Sequence, residues 1–221
     1  MARVITGLDP GRVRENLHRV RGEIDAAARV AGRDPSGVRL LAAVKYVPLE
    51  ELAALAEAGV ELVGENRAQD LEAKATGPDG ASFAWHFIGR LQSRKVSQVV
   101  QHAELIHSLA SDSALDQLGR HGTDATRVLV QVNVAGEEGK AGVAPRDLAG
   151  FIARCPVQVA GLATMPPEVV DPEDSRPHFV ALRELAAEHG LALLSMGTSQ
   201  DFTVAVQEGA TIVRVGSALY A

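Results

Sequence analysis

The pattern of apolar and polar residues along the chain predicts eight short strands that alternate with amphipathic helices. Runs rich in leucine, valine and isoleucine predict strands over 38–44, 60–63, 83–88, 104–107, 127–133, 157–162, 191–195 and 211–215. Apolar residues at helical spacing predict helices near 49–58, 66–75, 91–100, 112–120, 145–153, 175–189 and 200–208. This alternation is typical of parallel βαβ units.

A further helix is predicted before the first strand. Asp9 is a suitable N-cap and Pro10 a suitable first helical residue, and Gly32 ends the stretch. Its apolar stripe consists of Val13, Leu17, Val20, Ile24 and Ala27. Because few residues follow the eighth strand, we expect this helix to pack where the eighth barrel helix would otherwise lie.

Eight strands separated by helices are the number that closes a barrel. We therefore predict an α/β fold, a single (β/α)8 TIM-type barrel with an extra N-terminal helix, over residues 1–221. An open doubly wound sheet is the alternative. No internal repeat, low-complexity segment or long linker divides the chain, so we expect one domain.

Charge and cysteine content narrow the class of protein. The net charge of −6 argues against a nucleic-acid-binding surface. No apolar run approaches the roughly 20 residues that a membrane span needs. Cys155 is the single cysteine, which forbids an internal disulfide, and we find no signal peptide. We expect a cytoplasmic protein, and a monomer.

Two cationic residues are predicted near strand ends, where barrel enzymes place their active sites. Lys45 follows the first strand; if it points inward, so do Ala43 and Leu41, although a lone lysine can also extend into solvent. Arg214 shares a strand face with Ile212. An inward arginine needs an acceptor, and a structural ion pair is an equal alternative for it.

The loops after strands seven and eight are the usual phosphate site of this fold. Gly197 permits close approach of the backbone, and Ser199 is a suitable N-cap for the next helix. Gly216 and Ser217 offer the same features after strand eight. Ordinary turn and cap chemistry is the alternative explanation.

Two other polar residues are candidates for the mouth of the barrel. Asn66 could donate or accept there, or cap the following helix. His86 could face the site, although a lone histidine on a strand is more often a hydrogen-bonded core residue. The seven histidines show no metal-ligand spacing, so we expect no metal site.

A lysine, an inward arginine and a phosphate site at one mouth suit pyridoxal 5′-phosphate (PLP). Lysine forms a Schiff base with its aldehyde, and arginine can face its pyridine nitrogen. A Schiff-base aldolase acting on a phosphorylated sugar fits the same spacing equally well. The residues alone leave both alternatives open.

Six segments carry a recognisable signature: AAVKYVP, VGENRAQD, WHFIGRLQSRK, VLVQVNVAGEEGKAGV, GLATMPP and LSMGTSQDFTVAVQEGATIVRVGSALY. In this order they resemble the pyridoxal phosphate homeostasis protein family. Proteins of that family are similar to the barrel domain of alanine racemase without its second domain. The resemblance covers about residues 10–220, and segments 85–95 and 194–216 are its most specific parts.

The resemblance implies a PLP-binding barrel of fold type III. It implies that Lys45 is the Schiff-base lysine and that Arg214 faces the pyridine nitrogen. It also implies phosphate contacts from Ser199 and the Gly216–Ser217 turn, and neighbouring positions for Asn66 and Met196. His86 and Gly197 are candidates by residue type and position, not by the resemblance. The full candidate set for cofactor binding is therefore Lys45, Asn66, His86, Met196, Gly197, Ser199, Arg214, Gly216 and Ser217.

Some positions depart from the family pattern. Val44 and Val47 stand where the family usually has a serine and often a second lysine, so a second acceptor lysine at 47 is absent. Lys140 matches another lysine of the family. Arg67 and Arg90 replace a commonly aromatic and a commonly proline residue, which changes the rim of the mouth.

Two functional classes follow. The first is a PLP homeostasis protein that binds the cofactor and delivers it to apoenzymes, with no catalytic residue. The second is an amino-acid racemase, which needs a proton donor on each face of the substrate carbanion. Lys45 serves one face only; Tyr46 is expected to point away from it, and Tyr220 lies near the end of the chain. We therefore favour the homeostasis protein.

Overall fold

In the computed structural model, which describes residues 4–221, eight parallel strands close into a barrel in chain order. The strands are β1 (Arg39–Ala43), β2 (Leu62–Glu65), β3 (Ala84–Phe87), β4 (Leu105–Leu109), β5 (Arg127–Gln131), β6 (Gln158–Ala163), β7 (Leu193–Ser195) and β8 (Ile212–Val215). The helices are α1 (Pro10–Val30), α2 (Leu52–Glu57), α3 (Ala68–Ala75), α4 (Val96–Val99), α5 (Asp112–His121), α6 (Leu148–Ala153), α7 (Arg176–Glu188), α8 (Phe202–Gln207) and α9 (Ser217–Tyr220). The predicted barrel is confirmed, and the open-sheet alternative is wrong.

Helix α1 lies where it was predicted and packs against α8, α9 and α2. Asp9 caps it, since its carboxylate accepts from Arg12 N at 2.7 Å. Gly32 follows the helix with a φ of +66°, a conformation that favours glycine. Because α1 packs between α8, which follows β7, and α2, which follows β1, it takes the place of an eighth barrel helix.

The core has two layers, separated by the barrel wall. The larger layer lies between the strands and the helices. The smaller layer fills the barrel interior, and its buried members are Leu41, Leu62, Leu105, Leu129, Ala163 and Ile212. Leu41 and Ile212, which were predicted to share strand faces with Lys45 and Arg214, both point inward. Because residues alternate along a strand, Arg214 follows Ile212 on the inward face.

The carboxyl ends of the strands form one face of the barrel, as expected for parallel strands. β1 ends at Ala43, so Lys45 lies in the turn that follows it. The loop after β3 packs tightly on this face: a Cβ at Gly89 would lie 1.9 Å from Asn66 O. Within the described residues, no helix is both long and apolar enough to cross a membrane.

Candidate functional site

A cavity of about 470 Å³ opens at the carboxyl ends of the strands. Six of the nine predicted residues line it, namely Lys45, Asn66, Ser199, Arg214, Gly216 and Ser217. A second cavity, of about 530 Å³, lies near the amino ends of β1 to β3 and contains none of the nine. The first cavity is therefore the candidate site.

One side of the cavity is formed by Ala43, Lys45, Tyr46 and Asn66, which we call the lysine wall. Lys45 is exposed, and its Nζ lies 5.0 Å from the centre of the Tyr46 ring. The side chain can thus reach a ligand from the rim. The sequence did not distinguish this position from a solvent-facing lysine, because both place the amine at a strand end.

Both tyrosines line this cavity, which corrects the sequence interpretation. Tyr46 does not point away from Lys45, because the strand ends at Ala43 and strand alternation does not extend into the turn. Tyr220 belongs to α9, and its hydroxyl donates to Ala43 O at 3.3 Å. Burial, and then the negative charge of Glu65, raises the pKa of Tyr220 above its usual range.

Behind the lysine wall lies a buried ion pair that sequence reasoning missed. Lys74 on α3 donates to Glu65 and, at 2.8 Å, to Val44 O. Glu65 in turn accepts from the backbone N–H of Asn66. A signal was present, since Lys74 follows Ala68 and Leu71 on the apolar face of its helix, where a lysine needs a partner.

Asn66 extends into the cavity from the end of β2. Its Oδ1 is buried and accepts no hydrogen bond from the described residues. Asn66 does not cap α3, because Arg67 occupies the N-cap position and the carboxylate of Glu65 accepts from the N–H groups of both residues. A buried amide without a partner is a group that a bound ligand can satisfy.

The neighbouring side is formed by Thr198, Ser199, Arg214, Gly216 and Ser217, which we call the arginine wall. Arg214 is 8% exposed and donates to Ser195 O and Thr164 O, each at 2.8 Å, and to Met165 Sδ at 2.9 Å. Within residues 4–221, no carboxylate forms an ion pair with it, so the alternative of a structural ion pair is wrong. Burial lowers the pKa of Arg214 to about 10, partly offset by Asp201.

Arg214 begins a chain of hydrogen bonds across the barrel interior. It donates to Ser195 Oγ, which lies 2.8 Å from His107 Nδ1, and His107 Nε2 lies 2.9 Å from His86 Nδ1. Arg214 only donates, whereas a serine hydroxyl can donate one hydrogen bond and accept two, so the histidine tautomers set the direction of the two bonds beyond Ser195. Burial, followed by the charges of Arg39 and Arg127, lowers the pKa of His86 to about 3. Burial, followed by the charges of His86, Arg214 and Arg39, lowers the pKa of His107 well below its usual value.

Three of the nine predicted site residues, His86, Met196 and Gly197, do not line the cavity. His86 is 1% exposed and bonds to His107 inside the barrel, below the mouth. Met196 is fully buried in the layer between strands and helices, because Ser195 takes the inward face and the next residue therefore points outward. Residue type suggested His86 and the resemblance suggested Met196 as neighbours of the cofactor. The position of each residue along its strand, however, decides where its side chain points.

The turns after β7 and β8 are joined by one side chain. Ser199 Oγ accepts from Gly216 N at 3.1 Å, whereas Asp201, not Ser199, occupies the N-cap position of α8. Gly197 has a φ of +89°, and a Cβ there would lie 2.6 Å from Ala205 Cβ. This glycine is required by packing and does not line the cavity. A Cβ at Gly216 would make only ordinary contact, 3.6 Å from Ala43 Cβ.

The remaining candidates lie elsewhere. Lys140 pairs with Glu137 in the loop after β5, outside the cavity. The thiol of Cys155 is half-buried, and burial raises its pKa. Among the described residues, no three His, Cys, Asp or Glu side chains come together in a way that could hold a metal ion.

Comparison with known proteins places this geometry in context. Residues 12–221 match the model of the alanine racemase N-terminal domain. The pyridoxal phosphate homeostasis protein of Aquifex aeolicus is 42% identical over 219 residues, covering 93% of this chain and 96% of its own. The protein of that name from Pseudomonas aeruginosa is 36% identical and covers 94% of each chain.

Solved structures share the fold. PipY of Synechococcus elongatus, solved with PLP bound, has a TM-score of 0.79 at 30% identity, covering 95% of this chain and 100% of its own. The same protein without PLP has a TM-score of 0.82. The lysine/ornithine decarboxylase of Vibrio vulnificus, at 13% identity and a TM-score of 0.66, shares the barrel alone.

Proposed function

The chain belongs to the pyridoxal phosphate homeostasis proteins, a family with the barrel of the alanine racemase N-terminal domain, and from this premise we propose that it binds PLP reversibly and delivers it to apoenzymes. The relatives carry the name of a homeostasis protein and not of an enzyme. PLP is the ligand named in the PipY structure. The proposal for this chain depends on its own cavity.

The observation that carries the proposal is the buried charge of Arg214. A buried cation is costly unless an anion or strong acceptors compensate it, and here the acceptors are two carbonyls, a hydroxyl and a thioether. A ligand with an acceptor atom and negative charge relieves that cost. The pyridine nitrogen and phosphate of PLP supply both.

The other groups of the cavity fit the remaining parts of PLP. Lys45 is the amine that would hold the aldehyde, and Asn66 offers its unsatisfied amide to the ring substituents. The turns that Ser199 joins would hold the phosphate, with Gly216 and Ser217 at the cavity surface. These turns carry no basic residue, so the phosphate would rest on hydroxyl and backbone N–H groups.

When bound, PLP supplies an aldehyde that reacts reversibly with amines and a ring that withdraws electrons. Arg214 only donates hydrogen bonds, so the pyridine nitrogen that it faces stays unprotonated. An unprotonated ring withdraws electrons less strongly and discourages carbanion chemistry on amino acids. The arginine wall therefore suits storage and delivery better than turnover.

An amino-acid racemase is the second candidate, because Tyr46 and Tyr220 both line the cavity with Lys45. A tyrosine on the face opposite the lysine would supply the second proton donor. The hydroxyl of Tyr220, however, already donates to Ala43 O, and burial holds its proton. Incubation of the loaded protein with L-alanine in deuterated water distinguishes the two functions. Formation of D-alanine at about 1 s⁻¹ or faster, the low end of enzyme turnover, would overturn the carrier proposal.

The direct test of binding is reduction of the loaded protein with borohydride, followed by peptide mass mapping. We expect the pyridoxyl group on the Lys45 peptide and none on that peptide in Lys45→Ala. Lys140→Ala is the matched control, since Lys140 is an ion-paired lysine outside the cavity. A label found chiefly on Lys140 or Lys74 contradicts the assignment.

Delivery is tested with an apoenzyme that requires PLP. The loaded protein should restore its activity while a molar excess of a PLP-trapping amine is present, and the Lys45→Ala protein should not. Restoration that is equal for free PLP and for the loaded protein under the trap contradicts delivery and leaves a storage role.

A further inference from the structure

The buried pair of Glu65 and Lys74 stands directly behind the lysine wall. Glu65 is 0% and Lys74 6% exposed, and in the part of the chain that the structure describes no other ion pair is buried on both sides. Burying two charges is expensive, and an apolar pair of similar volume often stabilises a fold as well or better. Stability alone therefore does not explain why an ion pair is buried at this position.

The pair joins the two backbone positions from which Lys45 and Asn66 extend. Lys74 Nζ donates to Val44 O at 2.8 Å, the carbonyl of the peptide bond that leads to Lys45. Glu65 accepts from Asn66 N at 2.5 Å. The side chains thus continue the connection between β1 and β2 just where the backbone ladder ends.

The ammonium of Lys74 is held in this arrangement. It borders a groove that Lys45 and Tyr46 also line, so its position in the fold puts a second amine close to the site. Its donors are directed to Glu65 and Val44 O, both buried. The ion pair therefore keeps Lys74 from competing for a ligand while it fixes the neighbouring residues.

We propose that Glu65 and Lys74 are positioning residues, which hold Lys45 toward the aldehyde and Asn66 toward the ring of PLP. This inference rests on the proposed function. It predicts that an apolar pair at these positions keeps the fold but loosens the turn that carries Lys45. The loss should therefore concern the covalent part of binding more than the rest.

The test is the double variant Glu65→Leu/Lys74→Met, with affinity measured for two ligands. PLP has the aldehyde, whereas pyridoxine 5′-phosphate has an alcohol in its place and depends on Lys45 far less. We expect the Kd for PLP to rise about tenfold or more, since small misplacement of a reacting group has large effects, and the Kd for pyridoxine 5′-phosphate to rise less than about threefold. Equal losses would mean a merely structural pair.

The matched control is Arg183→Met/Glu208→Leu, which removes a half-buried ion pair between α7 and the end of α8, together with the bond from Arg176 to Glu208, all outside the cavity. It should leave both affinities unchanged. The inference is overturned if the double variant at 65 and 74 folds and binds PLP with unaltered affinity.

A readout without ligand separates this inference from the proposed function. Hydrogen exchange at the backbone N–H of Asn66 should accelerate in the 65/74 double variant, because its acceptor on Glu65 is gone. The backbone N–H groups of α7 should stay protected. Unaltered exchange at Asn66 contradicts the positioning role. If the unaltered protein binds neither ligand, the proposed function is wrong, whatever the exchange shows.

Discussion

The two walls of the cavity treat buried charge in opposite ways. Behind the lysine wall, Lys74 and Glu65 compensate each other and their remaining hydrogen bonds go to backbone groups. In the arginine wall, Arg214 has only neutral partners, and the chain behind it ends in two neutral histidines. The charges behind the lysine wall compensate each other without a ligand. The charge of Arg214 in the arginine wall is compensated only when a ligand brings an acceptor or an anion.

This difference assigns the walls different tasks. A compensated pair holds backbone in place regardless of whether ligand is present, which suits the side that must present a reactive amine. An uncompensated cation gains from ligand binding, which suits the side that must provide affinity. Substitutions in the two walls should therefore separate stability from binding.

The largest effect on stability is expected when the buried ion pair behind the lysine wall is broken. Lys74→Met leaves the buried carboxylate of Glu65 without its partner, and we expect the free energy of unfolding to fall by about 3–5 kcal/mol. Urea denaturation measures it. In Glu65→Leu/Lys74→Met most of that loss should be recovered, and a single variant as stable as the unaltered protein would contradict buried compensation.

Acid should lower the free energy of unfolding through the two histidines that follow Arg214 in the hydrogen-bond chain. The folded pKa of His86 is about 3, below the unfolded value of 6.5, so below pH 6.5 the unfolded state binds a proton that the folded state does not. The contribution of His86 to stability is therefore constant above pH 6.5 and falls as pH drops, by about 3 kcal/mol at pH 4.5. Urea titrations at several pH values test this.

The control for the acid effect is an exposed histidine. His86→Gln should flatten the pH dependence of stability below pH 6.5, while replacement of His121, exposed at the end of α5, should leave it unchanged. Equal slopes in the two variants would place the acid sensitivity elsewhere.

A smaller effect on stability should accompany loss of the uncompensated cation. Arg214→Met removes a costly buried charge together with its hydrogen bonds, and we expect the two to offset each other to within about 1–2 kcal/mol. Affinity for PLP should fall by about tenfold or more, since a hydrogen bond to a charged group contributes about 1.5–3 kcal/mol. The reverse result, large instability with intact affinity, would make Arg214 a structural residue.

The smallest effect on stability is expected at Gly216, where the protein itself has room for a side chain. Gly216→Ala should change the free energy of unfolding by less than about 1 kcal/mol. If the phosphate rests on this turn, affinity for PLP should fall more than affinity for pyridoxal. Equal losses for both ligands would place the phosphate elsewhere, and Gly197→Ala, which should instead destabilise the fold, is the matched contrast.

The barrel was predictable because parallel strands buried on both sides read as continuous apolar runs. The starts of several helices were not, since residues 49–51 and 145–147 form 3₁₀ turns before their α-helices. Arg214 was placed correctly because it lies within a regular strand, where alternation applies.

The incorrect side-chain directions have two physical causes. Tyr46 lies three residues beyond the end of β1, in a turn where strand alternation does not apply, and sequence patterns locate such ends only to within a few residues. Met196 directly follows the inward-facing Ser195, so the alternation of β7 turns it outward. The partners of Arg214, on β7 and just after β6, and of His86, on β4, depend on how distant segments meet, which single-sequence periodicity does not contain.

The contact between α1 and α9 has a consequence for how the chain folds. Asn16 Nδ2 donates to Ala221 O at 3.1 Å, across 205 residues of sequence, and Arg19 reaches Ala218 O across 199. Closing contacts of such separation slows folding. During synthesis α1 emerges long before β8 and α9, so its apolar stripe lacks its final partners until those elements have been made.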